Sequence, residues 1–274
     1  MKLSIGVRDS GVGGLTVARE LQKRLPQARL LYFADTAHVP YGDKSSEEIR
    51  HYALSISAFL RRQGANAIVF ACNTTSAHAL DLAREKFAPL PMFGVIEPGA
   101  RLAVQYGRKI GVLATQATVN SGIYTRVLQR IYPHTQVCEV ACPAFVPLVE
   151  GEQTLSDAAR EACHYYLEPL RRMNADAVIL GCTHYPLLLP MLRQVAPELQ
   201  FIDPATALVE DVAAHYSYLE PVQEPPRFWA SGPKEGVENW IRTLLGIPNP
   251  CVEVGPVFDL HLPHDHSTRH HIQA

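Results

Sequence analysis

Residues 67–75 read AIVFACNTT, and residues 177–186 read AVILGCTHYP. In each stretch a short apolar run ends at a cysteine, Cys72 in the first and Cys182 in the second, and a polar loop follows. A continuous apolar run of this length between turn residues is typical of a strand buried on both faces of a parallel sheet. Reaction sites of such sheets lie just past the carboxyl ends of the strands, where both thiols are expected. The two stretches therefore predict a site with a sulfur on each side, able to take a proton from one face of a carbon and return one to the other.

Length and composition limit the function classes that need to be considered. The chain has 274 residues, of which 47% are hydrophobic and 19% charged, and its formal net charge is -2. It is long enough for one large or two modest domains, and nothing in its charge suggests a nucleic-acid partner. The apolar start at residues 3–7 is too short for a secretory signal, and no span approaches the length of a membrane helix. We therefore expect a cytoplasmic protein without a membrane partner, in which the six cysteines are reduced thiols.

Strand and helix signals alternate along the chain, which indicates an α/β fold. Strands are predicted near residues 3–7, 30–33, 67–71, 92–96, 108–113, 137–140 and 177–181, and helices near 15–25, 46–62, 76–87, 120–131, 155–173 and 205–216. The two thiol-bearing strands are about a hundred residues apart, near typical domain size. This spacing predicts two similar three-layer α/β domains with mainly parallel sheets and an active site in the cleft between them. The first should comprise residues 1–97 plus about 208–258, and the second residues 98–207.

Two groups of residues could suggest a metal site, and neither pattern favours one. The segment 259–274 is rich in histidine, with five of the twelve histidines from His261 onward, but it has too few apolar residues to form a core and is expected to be disordered. Cys138 and Cys142 are spaced one residue wider than the tightest zinc-binding pairs, and no second pair follows. Together with Cys163 and Cys251, they are predicted to be packing residues.

A glycine-rich loop, DSGVGG at residues 9–14, follows the first predicted strand and opens a helix. Exposed backbone N–H groups at such a turn can bind anions. Asp35, at the end of the next strand, allows a dinucleotide interpretation, but the glycine spacing does not match that fingerprint and Asp9 would place a negative charge near the phosphates. A carboxylate ligand and a purely structural turn are the alternatives that this loop leaves open.

Each of the two cysteines has a candidate helper nearby. A resting thiol is mostly protonated at neutral pH, so a catalytic thiol needs a neighbour that shifts or accepts its proton. His184 comes two residues after Cys182, and Asp9 ends a strand that could lie beside the strand of Cys72. The pattern therefore favours a thiol-based acid/base site.

Five motifs, in this order, resemble those of the bacterial glutamate racemases: DSGVGG at 9–14, VPYG at 39–42, CNT at 72–74, GVIEPG at 94–99 and GCTHYP at 181–186. The resemblance covers about residues 3–210. It implies an enzyme of two similar α/β domains that interconverts L-glutamate and D-glutamate and supplies D-glutamate for cell-wall peptidoglycan. It also implies that no pyridoxal phosphate, other cofactor or metal is needed, and that the protein is a homodimer.

The same resemblance implies roles for individual residues. Cys72 and Cys182 are the expected acid/base pair, with Asp9 assisting Cys72 and His184 assisting Cys182. Glu150 is expected as a further acid near the second thiol, although Glu152 is close enough in sequence to compete for that role. The positions that match substrate-binding positions of the family are Ser10, Pro40, Tyr41, Gly42, Asn73, Thr74, Thr75, Thr183 and His184.

Three positions depart from the family pattern. Arg8 stands where phenylalanine is usual, Ala34 replaces a usual glycine, and His38 sits where arginine is common. Neighbouring strand residues point to opposite faces, so Arg8 should point away from Asp9 and the substrate, and its charge is costly to bury. One alternative is an aspartate or broad-specificity racemase of the same superfamily, although aspartate racemases carry glutamate where this chain has His184. The other is a weakly active binding or regulatory homologue, which only Arg8 supports.

Overall fold

The computed structural model describes residues 1–216 and 218–260. Residues 261–274 lie outside the described part, so the expectation of disorder for the histidine-rich segment 259–274 falls mainly on residues that the structure does not describe. The strands are β1 (Ser4–Asp9), β2 (Arg29–Ala34), β3 (Ala67–Phe70), β4 (Met92–Gly94), β5 (Lys109–Ala114), β6 (Gln136–Ala141), β7 (Ala177–Gly181), β8 (Gln200–Ile202), β9 (Arg227–Ala230) and β10 (Val252–Val254). The helices are α1 (Leu15–Arg24), α2 (Ser46–Arg62), α3 (Asn73–Phe87), α4 (Ile96–Ala103), α5 (Gln116–Ser121), α6 (Ile123–Ile131), α7 (Phe145–Glu150), α8 (Asp157–Arg172), α9 (Leu189–Val195), α10 (Pro204–His215) and α11 (Glu235–Leu245).

The strands form two sheets, and every pairing within them is parallel. The first sheet has the order β10-β9-β2-β1-β3-β4, and the second has the order β6-β5-β7-β8. The chain thus begins in the first sheet, builds the second, and returns with β9 and β10 to the edge of the first. The predicted α/β class with two parallel sheets is confirmed.

The strand register places the expected site residues at matching sheet edges. Arg8 of β1 pairs with Phe70 of β3, so the segments that follow β1 and β3 emerge side by side. In the second sheet, Ala114 of β5 pairs with both Ala141 of β6 and Gly181 of β7. The residues directly after these three strands therefore also emerge at one edge.

Helices cover both faces of the sheets and build the core. Helices α2 and α3 pack on one face of the first sheet, where Ile56 meets strand residues such as Phe33. Helix α10 packs against both α1 and α4, and these three helices share one apolar core with residues of both sheets, including Val69 and Ile179. Helices α8 and α9 cover the outer face of the second sheet, with Leu167 buried there. One layer of helices therefore serves both sheets. None of the helices in the described part is both long and apolar enough to cross a membrane.

Local sequence signals fix most helix boundaries. Helix α2 begins behind Ser45, whose side chain accepts the N–H of Glu48 while the Glu48 carboxylate accepts the N–H of Ser45. The helix predicted from residue 155 begins instead at Asp157, because Ser156 is its capping residue.

The sequence-based prediction was wrong in three places. Helix α3 begins at Asn73 and not at Ser76, with Cys72 as its capping residue. The strand predicted to Ile96 ends at Gly94, and Ile96 opens helix α4, which was not predicted. In place of the helix predicted over 120–131 there are two helices, α5 and α6. Gly122 separates them, because its φ of 60° is incompatible with a continuous α-helix. Short apolar runs do not distinguish a buried helix from a strand, which explains the second error.

Candidate active site

A cavity of about 280 Å³ lies where the carboxyl ends of the strands of both sheets face each other. Its walls include most of the residues expected from the sequence: Ser10, Pro40, Tyr41, Gly42, Cys72, Asn73, Thr74, Glu150, Cys182, Thr183 and His184. Asp9 and Thr75 are fully buried and lie behind the wall. The fold thus brings both cysteines to one cavity, although they are far apart in sequence and follow strands of different sheets.

Cys72 sits at the amino-terminal end of α3, and its side chain is buried. The Thr75 hydroxyl donates a hydrogen bond to the Cys72 carbonyl at 3.1 Å, so Thr75 stabilises this turn. Burial raises the pKa of the Cys72 thiol, and the negative charge of Asp9 raises it further. The protonated thiol is therefore the favoured form of Cys72.

Asp9 lies between Cys72 and the other half of the molecule. Its carboxylate accepts the N–H of Gly11 at 3.1 Å and the hydroxyl of Thr183 at 3.3 Å. Burial raises the pKa of Asp9, while the charge of His184 and the N–H groups of Gly11 and Gly14 act in the opposite direction. The glycine-rich loop therefore directs N–H groups at the carboxylate of its own Asp9.

The same loop is one of the places where the two halves are in contact. A Cβ atom on Gly13 would lie 2.4 Å from Thr183 Oγ1 and 2.6 Å from His184 Nδ1. A Cβ atom does not approach a non-bonded atom this closely in real proteins, so only glycine permits the observed approach. Gly13 thus serves the packing of the first half against the Cys182 loop.

Cys182 lies beside a histidine and an acid. His184 Nδ1 is 3.8 Å from Cys182 Sγ, and His184 Nε2 is 3.2 Å from Glu150 Oε1. Burial acts to lower the pKa of His184, but hydrogen bonds to Cys182 and Glu150, together with the negative charges of Cys182 and Asp9, outweigh it and raise the pKa to about 10. The ring is therefore protonated at neutral pH, and a neighbouring cation stabilises a thiolate. Glu150, and not Glu152, is the acid that contacts this ring, and it ends helix α7, which the sequence did not predict.

The two thiols consequently have different electrostatic surroundings. Cys72 is close to a carboxyl group, and Cys182 is close to an imidazolium. One sulfur is suited to give a proton and the other to take one, which is the requirement for moving a proton between two faces of a carbon.

Sequence reasoning missed several residues that the second half contributes to the cavity wall. Thr115 Oγ1 lies 2.9 Å from Thr74 Oγ1, and Thr118 Oγ1 lies 3.2 Å from it, so three hydroxyls meet across the two halves. The wall also contains Gln116, Cys142, Pro143, Val146, Pro147 and Tyr185. The position of Thr115 and Cys142 directly after strands was the one available signal.

Asp35 was considered from the sequence as a ribose-binding acid, but its carboxylate oxygens accept hydrogen bonds from other side chains of the protein. It accepts hydrogen bonds from Ser231 at 2.7 Å and from His38 at 2.9 Å, and also from the phenol of Tyr41. The His38 ring stacks on Tyr52, with 4.0 Å between ring centres. These contacts fix Tyr41 in the cavity wall.

The prediction that the other four cysteines are all packing residues is wrong. Cys163 is buried and Cys138 is partly buried, but Cys251 is exposed and Cys142 lines the cavity. Within residues 1–216 and 218–260, no group of three or more histidine, cysteine or acidic side chains is arranged to hold a metal ion.

Arg8 is completely buried, and its packing differs from that of Asp9. Its guanidinium carbon lies 5.1 Å from the centre of the Phe70 ring, and none of its three nitrogens has a hydrogen-bond partner among the described residues. The side chain belongs to the layer between the first sheet and α2, and it does not line the cavity.

Comparisons with known proteins agree with this geometry. Residues 15–212 match the family model described as Asp/Glu/Hydantoin racemase. A protein of Desulforudis audaxviator named glutamate racemase is 50% identical over 211 residues, which are 76% of this chain and 77% of the relative. The crystal structure of a glutamate racemase isoform from Bacillus anthracis has a TM-score of 0.87 and 33% identity, covering 93% of this chain and 98% of that one. A structure from Francisella tularensis in complex with D-glutamate has a TM-score of 0.87 and 30% identity, with the same coverage.

Proposed function

This chain belongs to the Asp/Glu/hydantoin racemase family, and we propose on that premise that it interconverts L-glutamate and D-glutamate by a mechanism with two thiol bases. The observation that carries the proposal is that two thiols from different sheets line one cavity, each near its own ionisable helper. The relatives reported above are named glutamate racemases, and this favours glutamate as the substrate of this chain.

In the proposed reaction, one cysteine acts as base and the other as acid. The thiolate takes the α-proton of the bound amino acid, the electron pair of the C–H bond stays on the α-carbon as a carbanion, and the other thiol donates a proton to the opposite face. The imidazolium of His184 would stabilise negative charge on the sulfur of Cys182 beside it, and Asp9 supports Cys72 as the resting thiol. The reverse reaction starts from the opposite protonation state of the pair.

Substrate binding is proposed to rely on neutral donors. Among the described residues, no lysine or arginine lines the cavity. Two carboxylates of glutamate can instead be bound by the hydroxyl and amide groups of Ser10, Asn73, Thr74, Thr115 and Thr183, and by the N–H groups at the start of α3. Pro40, Tyr41 and Gly42 would close the first-half side of the cavity.

The wider role is proposed from the family. D-glutamate formed by this chain would supply peptidoglycan, and the protein would work in the cytoplasm as a homodimer without pyridoxal phosphate or metal. The cavity would lie between a first domain of residues 1–97 with about 208–258 and a second domain of residues 98–207.

Racemisation assays on the purified protein test this proposal. L-glutamate and D-glutamate should each lose their circular dichroism signal, L-aspartate should react far more slowly, and a strong chelator or a carbonyl-trapping amine should leave the rate unchanged. Cys72→Ala and Cys182→Ala should each abolish activity, and Cys251→Ala, at an exposed position, should not. A protein inactive on glutamate would overturn the proposal, and equal rates on aspartate would favour a broad-specificity racemase.

A further inference from the structure

Tyr124 of α6 reaches from the second half into the first. Its side chain is fully buried, and its hydroxyl donates a hydrogen bond of 2.6 Å to Asn73 Oδ1. Asn73 is the first residue of α3, directly follows Cys72, and lines the cavity. The bond therefore joins a residue outside the cavity wall to one inside it.

Gly181 makes this reach possible. A Cβ atom at Gly181 would lie 3.2 Å from Cε2 of Tyr124 and 2.9 Å from the carbonyl oxygen of Leu113. The missing side chain lets the Tyr124 ring pass close to the end of β7, immediately before Cys182. The ring of Tyr124 thus lies against the segment that carries one thiol, and its hydroxyl contacts the segment that carries the other.

The chemistry of an amide gives this contact a consequence. The oxygen of an asparagine side chain accepts hydrogen bonds and the nitrogen donates them, while the two ends are nearly equal in shape. Burial raises the pKa of Tyr124 far above its usual value, so its hydroxyl remains a donor at any pH at which the protein works. A donor fixed on Oδ1 leaves Nδ2 as the end of the Asn73 amide that can serve a ligand. After a half-turn of the amide, the oxygen would face the ligand and repel a carboxylate.

We propose that Tyr124 is a positioning residue for racemisation: it orients the Asn73 amide so that Nδ2 faces the cavity as a donor to a carboxylate of the substrate. The proposal rests on glutamate being the substrate. Tyr124 is not part of the cavity wall, so it acts through Asn73 and not by touching the substrate.

Tyr124→Phe removes only the hydroxyl and therefore tests the contact. A hydrogen bond of this kind corresponds to a roughly 3–10-fold increase in KM for both enantiomers, with kcat within about twofold of wild type. Tyr166→Phe is the matched control, since the Tyr166 hydroxyl accepts the N–H of Ala144 at 3.3 Å and lies outside the cavity wall. It should lower the melting temperature to a similar degree and leave KM unchanged.

A double-mutant cycle with Asn73→Ala separates positioning from general damage. If Tyr124 acts through Asn73, then Tyr124→Phe should change the affinity for D-glutamate by less than about twofold in the Asn73→Ala background, measured by calorimetric titration. An equal loss in both backgrounds would overturn the proposal, and so would an unchanged KM for Tyr124→Phe in an enzyme that racemises glutamate. A wild-type protein without activity on glutamate would instead overturn the proposed function, and this inference with it.

Discussion

At the scale of single residues, Arg8 is the least expected side chain in the molecule. It is fully buried on a strand next to Asp9, and its guanidinium group has no hydrogen-bond partner in the part of the chain that the structure describes. Its positive charge acts to lower the pKa of both Asp9 and Cys72, opposing the effect of burial. Arg8 therefore combines a cost in stability with an electrostatic influence on the first thiol.

Arg8→Phe should raise the melting temperature, because it removes an unpaired buried charge and keeps a large side chain beside Phe70. Replacing buried ion pairs by well-packed apolar side chains is neutral to stabilising by about 1–4 kcal/mol, and ~1 kcal/mol shifts the midpoint of a protein of this size by roughly 2–4 °C. Scanning calorimetry at neutral pH measures the shift, with Arg8→Lys as the control that keeps the charge. A lower melting temperature for Arg8→Phe would show that the charge is compensated in the folded protein.

The pKa of His184 predicts a dependence of stability on pH. The folded protein keeps a proton on His184 up to about pH 10, whereas the unfolded chain releases it near 6.5. The stability due to this proton is complete below pH 6.5 and is lost as the pH rises towards 10. Melting temperatures measured over this interval should fall more steeply for wild type than for His184→Asn. His164→Asn, an exposed position on α8, should behave like wild type; parallel curves for His184→Asn would contradict the assigned protonation.

At the scale of elements, the loop between β1 and α1 holds the two halves in contact. Its Gly13 faces Thr183 and His184 directly, and Asp9 accepts a hydrogen bond from Thr183. A displacement of this loop therefore reaches both thiols, through Asp9 on one side and His184 on the other.

Gly13→Ala should reduce kcat/KM at least about 10²-fold, because the new methyl group would displace Thr183 and His184, and an error of about 1 Å in position can have such an effect. The fold should persist, as judged by far-ultraviolet circular dichroism. Gly236→Ala in α11, where a Cβ atom meets nothing within 4 Å, is the control and should leave activity intact. Wild-type kinetics in Gly13→Ala would show that the loop contact does not position the catalytic groups.

At the scale of the whole molecule, the two proposed catalytic thiols reach the shared cavity from different sheets, Cys72 after β3 and Cys182 after β7. A proton removed by one cysteine and a proton delivered by the other are different protons, and the delivered one has equilibrated with solvent. This division predicts how isotopes enter the product.

In deuterated water, D-glutamate formed from L-glutamate should carry deuterium at the α-carbon at early times, while recovered L-glutamate should not. Mass spectrometry of the separated enantiomers measures the label, and D-glutamate as the starting material provides the mirror experiment. A single base that reaches both faces would transfer the original proton or label both enantiomers. Equal early label in substrate and product would therefore exclude separate bases.

Much of this architecture follows from local sequence. Three features are short-range patterns: the apolar runs ending at Cys72 and Cys182, the capping residue Ser45, and the alternation of strand and helix. They can be recognised locally because neighbouring residues determine the backbone hydrogen bonds of an element and which side chains share one of its faces. From these the α/β class and two parallel sheets could be predicted, together with most of the residues at strand ends.

The tertiary structure alone decided which of these ends meet. The bond from Tyr124 to Asn73, the contact of Thr183 with Asp9, and the burial of Arg8 join residues of different elements. The Thr115 side of the cavity and the existence of helix α7 were likewise visible only in the tertiary structure. No periodicity in a sequence encodes such pairs, since their distance depends on how two sheets and a shared layer of helices pack, and packing is set by the fit of all the side chains at once.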